Sequence, residues 1–102
     1  MIYSNVDRDK SKILSENKGR AAIYMWTHKE TGKRYIGSAV DLYTRLSNYY
    51  STPILKKNDN YISRALLYHG YSEFTLSILE FINISNLSKK EAQKLILERE
   101  QF

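Results

Sequence analysis

The sequence predicts a small α+β fold, because β-prone runs and helical patterns alternate along a chain of 102 residues. Two β-prone runs, at positions 21–26 and 33–38, flank a polar turn and predict a β-hairpin. A third run, at positions 71–81, has hydrophobic residues at alternate positions and predicts another strand. A chain of this length supports one hydrophobic core, so we expect a single domain.

The charge of the chain indicates a polyanionic partner. A formal net charge of +5 is typical of domains that bind nucleic acid, and the alternative is a basic surface that contacts only solvent. Cysteine is absent, which excludes disulfides and thiolate metal sites. No apolar run is long enough for a membrane span, and the N-terminal segment lacks the apolar region of a secretory signal. We therefore expect no membrane partner.

The hairpin is expected to place two tyrosines on one face of the sheet. If residues 29–32 form a four-residue loop, antiparallel pairing sets Tyr24 opposite Gly37 and Trp26 opposite Tyr35. Tyr24 and Tyr35 are then diagonal neighbours, about 7 to 8 Å apart at their backbones. A shift of one residue in this register would move them to opposite faces. The alternative interpretation is that both rings only pack across strands.

The next segment predicts a helix that carries an arginine. Asp41 is a suitable N-cap, and the hydrophobic spacing that follows continues to about residue 50. Because Arg45 and Tyr49 are four residues apart, they lie one above the other on the helix surface. The alternatives are a solvated surface position for Arg45 and a core position for Tyr49.

The middle of the chain predicts a basic loop and a second helix. Pro53 is expected to end the first helix, and Asn60 to precede a helix at about 61–69. Basic residues around the hairpin turn and in the loop are candidate phosphate contacts, although a run of charges is usually a solvated face. These candidates are Lys29, Lys33, Arg34, Lys56 and Lys57.

A last helix is expected to begin at a capping box formed by Ser88 and Glu91. Glu100 lies four residues after Ile96, at the edge of the hydrophobic stripe of this helix. Its carboxylate is therefore expected to point toward the sheet. The alternative is a surface position on a frayed helix end.

These side chains have the chemistry of a phosphodiester-cleaving site. Glu100 can supply the protein carboxylate for Mg²⁺, which prefers oxygen ligands and stabilises a leaving oxygen. Arg45 can bind phosphate oxygens through two hydrogen bonds. A tyrosine hydroxyl, with an ordinary pKa near 10, needs nearby positive charge before it can accept a proton from water.

Several short motifs also occur in a characteristic order. They are AIY at 22–24, YIGS at 35–38, Asp41 and Arg45, HGYSEFTLSILE at 69–80 and LEREQF at 97–102. In this order and spacing they resemble the GIY-YIG nuclease domain. The chain is most similar to the GIY-YIG domain of intron-encoded homing endonucleases of fungal mitochondria, where a lead-in similar to ENKGR at 16–20 precedes the first motif.

The resemblance implies a small three-stranded antiparallel sheet flanked by helices, and DNA cleavage with one divalent metal ion, Mg²⁺ or Mn²⁺. It assigns Tyr35 as the general base or water-positioning residue, with Tyr24 as its partner. It implies that Arg45 contacts the phosphate and that Glu100 binds the metal. Tyr49 would be a further hydroxyl within reach of the scissile phosphate. A mitochondrial location is also implied.

Two features depart from the family. Ala22 stands where the first motif has glycine, and the family continues beyond its glutamate. We expect a lead-in arm at 1–19 and a GIY-YIG domain at 20–102 that is shortened at its C-terminus. Three functions stay open at this point. The first is a metal-dependent DNA endonuclease of the homing type. The second is a catalytically silent domain that binds RNA or DNA in a larger ribonucleoprotein assembly, such as a mitochondrial ribosome, and the third is a repair nuclease of the same superfamily, which would need further domains.

Overall fold

The computed structural model describes residues 1–100, which form four strands, five helices and a short 3-10 turn at Tyr71–Glu73. The strands are β1 (Ile2–Tyr3), β2 (Ala21–His28), β3 (Arg34–Ala39) and β4 (Phe74–Ile82). The helices are α1 (Lys10–Glu16), α2 (Leu42–Tyr49), α3 (Thr52–Asn58), α4 (Tyr61–His69) and α5 (Lys89–Glu100). The predicted α+β fold is thus confirmed.

The four strands form one antiparallel sheet in the order β1-β4-β2-β3. The expectation of three strands was wrong, because Ile2 and Tyr3 pair with β4 and add a fourth. A strand of two residues is too short to show an alternating pattern in the sequence. β3 lies at the opposite edge, and its position matters for the site described below.

The register of the hairpin is the one predicted. Tyr24 pairs with Gly37 and Trp26 pairs with Tyr35. The turn closes through a hydrogen bond from the His28 amide to the Lys33 carbonyl, at 2.9 Å. Since side chains alternate between the two faces of a strand, Tyr24 and Tyr35 occupy the same face.

Helices cover the two faces of the sheet unequally. Tyr24 and Trp26 belong to the main core, which also contains buried residues of α1 to α4. Ala21 and Ile23 point to the other face, where Ile96 of α5 packs against them. The helix that carries Glu100 is therefore on the opposite face of the sheet from the Tyr24 ring.

The segment around Lys56 and Lys57 is a helix, and the prediction of a loop there was wrong. Pro53 lies in the first turn of α3, where a missing amide hydrogen costs no helical hydrogen bond. Leu55 is buried and anchors the helix to the core. Pro53 thus starts a new helix just after α2 has ended.

The predicted helix caps are confirmed. The side chain of Asp41 accepts a hydrogen bond from the Thr44 amide, and that of Asn60 from the Ser63 amide. Ser88 and Glu91 form a capping box. The Ser88 backbone amide donates to the Glu91 carboxylate, and the Glu91 backbone amide donates to the Ser88 hydroxyl.

Residues 1–19 pack against the rest of the chain. Tyr3, Val6 and Ile13 are buried in the main core. The buried Asn17 amide donates to the Ile13 carbonyl and to the Tyr3 hydroxyl. The division into an arm at 1–19 and a domain at 20–102 stays a prediction. Within residues 1–100, no helix is both long and apolar enough to cross a bilayer.

Candidate active site

Tyr24 extends from β2 across the neighbouring edge strand. Its side chain is 1% exposed, and its ring passes directly over Gly37 of β3. A Cβ atom at position 37 would lie 2.6 Å from both the ζ carbon and the hydroxyl oxygen of Tyr24. Such an approach is too close for any side chain, so glycine is what lets the tyrosine hydroxyl reach the edge of the sheet.

The hydroxyl of Tyr24 meets that of Tyr49, which lies in the last turn of α2. The two oxygens are 2.9 Å apart and share a hydrogen bond, and the rings meet edge to face. Tyr49 is fixed from two sides: its carbonyl accepts a hydrogen bond from the Tyr71 hydroxyl at 2.6 Å, and its ring packs against Trp26. The structure therefore builds a rigid pair of hydroxyls where α2 meets the sheet.

Arg45 lies one helical turn before Tyr49 and is exposed. It lines a cleft of about 590 Å³ between α2, the end of β3 and α5. Burial and the Tyr49 hydroxyl raise the pKa of Tyr24 well above its ordinary value, and the Arg45 guanidinium opposes this rise only in part. Tyr24 is therefore a neutral hydroxyl at physiological pH, able to donate or accept a hydrogen bond but unsuited to act as a base.

The raised pKa of Tyr24 predicts a loss of stability in alkali. Below pH 10 the tyrosine is protonated in both the folded and the unfolded chain, so its stabilising effect is fully present. Above pH 10 the unfolded chain releases the proton first. The free energy of unfolding then falls by up to about 1.4 kcal/mol per pH unit until the pH passes the folded pKa.

Urea unfolding at a series of pH values from neutral to alkaline measures this slope. We expect Tyr24→Phe to show a shallower fall above pH 10 than the wild-type protein, with part of the slope left because burial also raises the pKa of Tyr3 to about 12. Tyr43→Phe, at an exposed position of α2, serves as the control and should keep the full slope. Equal slopes for wild type and Tyr24→Phe would contradict the assignment.

Tyr35 lies on the same face as Tyr24 but meets a different neighbour. Its half-buried ring is 6.2 Å from the ring of Tyr61 in α4, centroid to centroid. It borders a groove between the hairpin and α4 that also includes Lys33. The hydroxyl partner of Tyr24 is thus Tyr49, and Tyr35 connects the site to this groove.

Glu100 approaches from the other face of the sheet, one turn after the buried Ile96. Its side chain is half-buried, and within residues 1–100 it forms no hydrogen bond or ion pair with Tyr24, Tyr35, Arg45 or Tyr49. In the same range, no group of three or more His, Cys, Asp or Glu side chains has the spacing of a metal site. A single half-buried carboxylate fits a hard cation such as Mg²⁺ that takes most of its ligands from water and phosphate.

The predicted basic residues have different positions. Lys33 and Arg34 border the cavities beside Tyr35. The Lys29 ammonium instead donates to the Ser72 carbonyl at 2.8 Å and ties the hairpin turn to the segment before β4. The remaining two, Lys56 and Lys57, occupy the last turn of α3, where positive charge also complements the helix dipole.

A stripe on α4 was not found from the sequence. Tyr61, Arg64 and Tyr68 recur at helical spacing on the exposed side of the helix and line the groove beside Tyr35. The signal was present in the pattern of two tyrosines and an arginine at positions i, i+3 and i+7. The hydrophobic spacing of Ile62 and Leu66 predicts the buried side of α4 and says nothing about a function for the exposed side.

The fold and the site together define a small α+β domain with a hydroxyl pair and an arginine at one edge of an antiparallel sheet. The family model described as the GIY-YIG catalytic domain matches residues 20–101, and the chain belongs to this family. The expected resemblance is confirmed at the level of the family.

Among solved structures, the chain is similar to the catalytic domain of intron endonuclease I-TevI, in a glutamate-to-alanine mutant form. The two are 28% identical, the match covers 79% of this chain and 76% of that chain, and the TM-score is 0.55. A search of curated protein sequences gave no match. The family and the structural likeness support a nuclease; a fungal mitochondrial origin stays a prediction.

Proposed function

We propose that the chain is the catalytic domain of a metal-dependent DNA endonuclease of the homing type, which hydrolyses phosphodiester bonds. The observation that carries this proposal is the hydroxyl pair of Tyr24 and Tyr49 beside Arg45, built over Gly37 at the edge of the sheet. Membership of the GIY-YIG family and the likeness to an intron endonuclease support it.

In the proposed reaction, water attacks the phosphorus atom and one ester P–O bond breaks. The water gives a proton to a base, and the leaving oxygen takes one up. Arg45 faces an open cleft, where its guanidinium can donate two hydrogen bonds to phosphate oxygens and offset the charge that develops on them. Tyr24 stays protonated, so the hydroxyl pair positions water or phosphate, and the base is assigned to Tyr35.

Glu100 is the residue proposed to hold a divalent cation, Mg²⁺ or Mn²⁺. It is half-buried and has no ion pair within residues 1–100, which leaves its charge available to a cation. Such an ion, when bound, would withdraw charge from the phosphate and stabilise the leaving oxygen.

Nicking of supercoiled plasmid DNA tests the proposal. We expect cleavage by the wild-type chain in Mg²⁺ or Mn²⁺ and none in a chelator. Glu100→Gln should cut at least about 100-fold more slowly, since the carboxylate charge is lost while the size is kept. Tyr35→Phe should also be impaired. Glu98→Gln, at an exposed position on the same helix, is the matched control and should cut like wild type.

Equal activity in the wild type and in the Glu100→Gln and Tyr35→Phe variants would sink the assignment of roles. A folded chain that binds nucleic acid tightly but does not cleave it, whichever metal ion is added, would favour the catalytically silent domain instead. Recovery of the chain in fixed ratio with a ribonucleoprotein particle would point the same way and would make RNA the partner. The mitochondrial location implied by the resemblance stays a prediction, which imaging of the tagged protein would check.

A further inference from the structure

A second surface adjoins the candidate active site, and apart from Tyr35 its residues have no role in the proposed chemistry. It is a groove of about 610 Å³ between the hairpin and α4, here called the tyrosine groove. The side chains that matter for its chemistry are three tyrosines and three basic residues. They are Lys33 and Tyr35 from the hairpin, and Tyr61, Arg64, Tyr68 and His69 from α4.

The aromatic rings of this groove are unusually accessible. Tyr61 is 67% exposed and Tyr68 is 85% exposed, whereas Ile62 and Leu66 on the other side of α4 are buried. Tyrosines left in water on one side of a helix do not stabilise the core. The Tyr68 ring is therefore available for stacking with a partner, and Tyr61 stays largely exposed although Arg64 and Tyr35 lie beside its ring.

Positive charge lies between and opposite these rings. The Arg64 guanidinium is 5.4 Å from the centre of the Tyr61 ring, and its ion pair with Asp59, at 4.0 Å between exposed side chains, is weak. Lys33 faces the same groove from the hairpin. Rings and cations in alternation are the combination that binds the bases and phosphates of a single strand.

The spacing of the rings and their accessible faces favour an unpaired strand over a duplex. In a double helix the faces of the bases are covered by neighbouring base pairs, so a tyrosine ring cannot stack on them. Tyr61 and Tyr68 are seven residues apart on α4, which separates them by about 10 Å along the helix axis. This distance is longer than the step between adjacent nucleotides of an extended strand, so the two rings suit bases that are separated by one nucleotide.

We propose that the tyrosine groove binds an unpaired nucleic acid strand next to the phosphodiester bond that is cut. The inference rests on the proposed function, and it adds one feature to the substrate: a locally unpaired segment beside the cleavage point in DNA that is otherwise duplex. Tyr35 is shared by the groove and by the face that carries Tyr24, so a strand in the groove leads to the candidate active site.

Equilibrium binding, measured by fluorescence anisotropy in a chelator, tests the groove without any cleavage. The probes are a labelled oligo(dT) strand of about a dozen nucleotides and a blunt DNA duplex of similar length. We expect Tyr61→Ala with Tyr68→Ala to weaken binding of the single strand about 100-fold, or about ten-fold for each ring. Duplex binding should change by less than about three-fold, since no ring stacks on it.

Two control variants separate stacking from other effects. Tyr61→Phe with Tyr68→Phe keeps both ring faces and should bind the single strand like wild type. Tyr43→Ala removes an exposed tyrosine of α2 outside the groove and should also bind normally. Unchanged single-strand binding in the double alanine variant, or an equal loss for both probes, would overturn the inference. Because binding and nicking are measured apart, failure of one leaves the other standing.

Discussion

Replacing Gly37 by alanine is expected to destabilise the protein by about 2 to 6 kcal/mol and to abolish nicking. The new Cβ would lie 2.6 Å from the Tyr24 ring, which is enclosed by the core and cannot move aside freely. Crowding of this kind costs about 1 to 3 kcal/mol. A displaced Tyr24 also loses the hydrogen bond to Tyr49, and an orphaned buried hydroxyl adds a similar cost. Urea unfolding and plasmid nicking measure the two effects.

Two further variants identify the cause. In Gly32→Ala, the added Cβ has no atom within 4 Å. The free energy of unfolding should therefore fall only by about 1 to 2 kcal/mol, because a residue with a side chain is disfavoured in the left-handed backbone conformation, here at φ +73°. In a Tyr24→Ala background, Gly37→Ala should have little effect on stability, because the clashing ring is gone. A Gly37→Ala variant that unfolds at the wild-type urea concentration would show that the close approach is not a real constraint.

Removing the guanidinium in Arg45→Ala is expected to slow nicking by about 100- to 1000-fold. The residue is exposed, so the free energy of unfolding should change by less than about 0.5 kcal/mol. The loss should appear mainly in kcat, because the charge that Arg45 offsets develops in the transition state. Single-turnover nicking with enzyme in excess gives the rate of the chemical step.

Arg45→Lys should recover only part of the rate, since a lysine cannot form two parallel hydrogen bonds to one phosphate. Arg8→Ala is a suitable control: Arg8 is exposed and pairs only with the adjacent Asp9 in the part of the chain that the structure describes. If Arg45→Ala nicks at the wild-type rate while Glu100→Gln is inactive, the role assigned to Arg45 is wrong and the role assigned to Glu100 stands.

The hairpin could be predicted in detail because its register follows from simple arithmetic. Once the turn was placed at residues 29–32, the partners of Tyr24 and Trp26 were fixed. The helix caps were equally local, since Asp41 and Ser88 act on amides three residues away. Such features depend only on residues that are close in the sequence, so one sequence is enough to predict them.

The elements that were missed depend on distant contacts. β1 forms by pairing with the edge of β4, which is distant in the sequence. Its two residues are too few to show an alternating hydrophobic pattern. From sequence alone, Pro53 predicts the end of a helix and a loop after it. Whether proline begins or ends a helix here depends on Leu55, which finds a buried place in the core.

For the predicted site residues, the sequence could predict the face of the sheet on which each tyrosine lies but not the contacts that each one makes. The strand register places Tyr24 and Tyr35 on one face of the sheet, but it does not predict which residues their side chains contact. The Tyr24 hydroxyl finds Tyr49, and the Tyr35 ring turns toward Tyr61, because α2 and α4 cover different parts of the same face. The helical spacing predicts that Glu100 points toward the sheet. It does not say which face of the sheet α5 covers, which depends on the packing of Ile96 against Ile23.

The packing of the first nineteen residues has a practical consequence. The family match begins at residue 20, yet Tyr3, Val6 and Ile13 fill the same core that supports Tyr24 and Trp26. A fragment designed from the family boundaries would open a cavity beneath the face that carries Tyr24 and would remove the edge strand β1 from the sheet. We therefore expect a fragment that begins at residue 20 to be less stable than the chain that keeps residues 1–19.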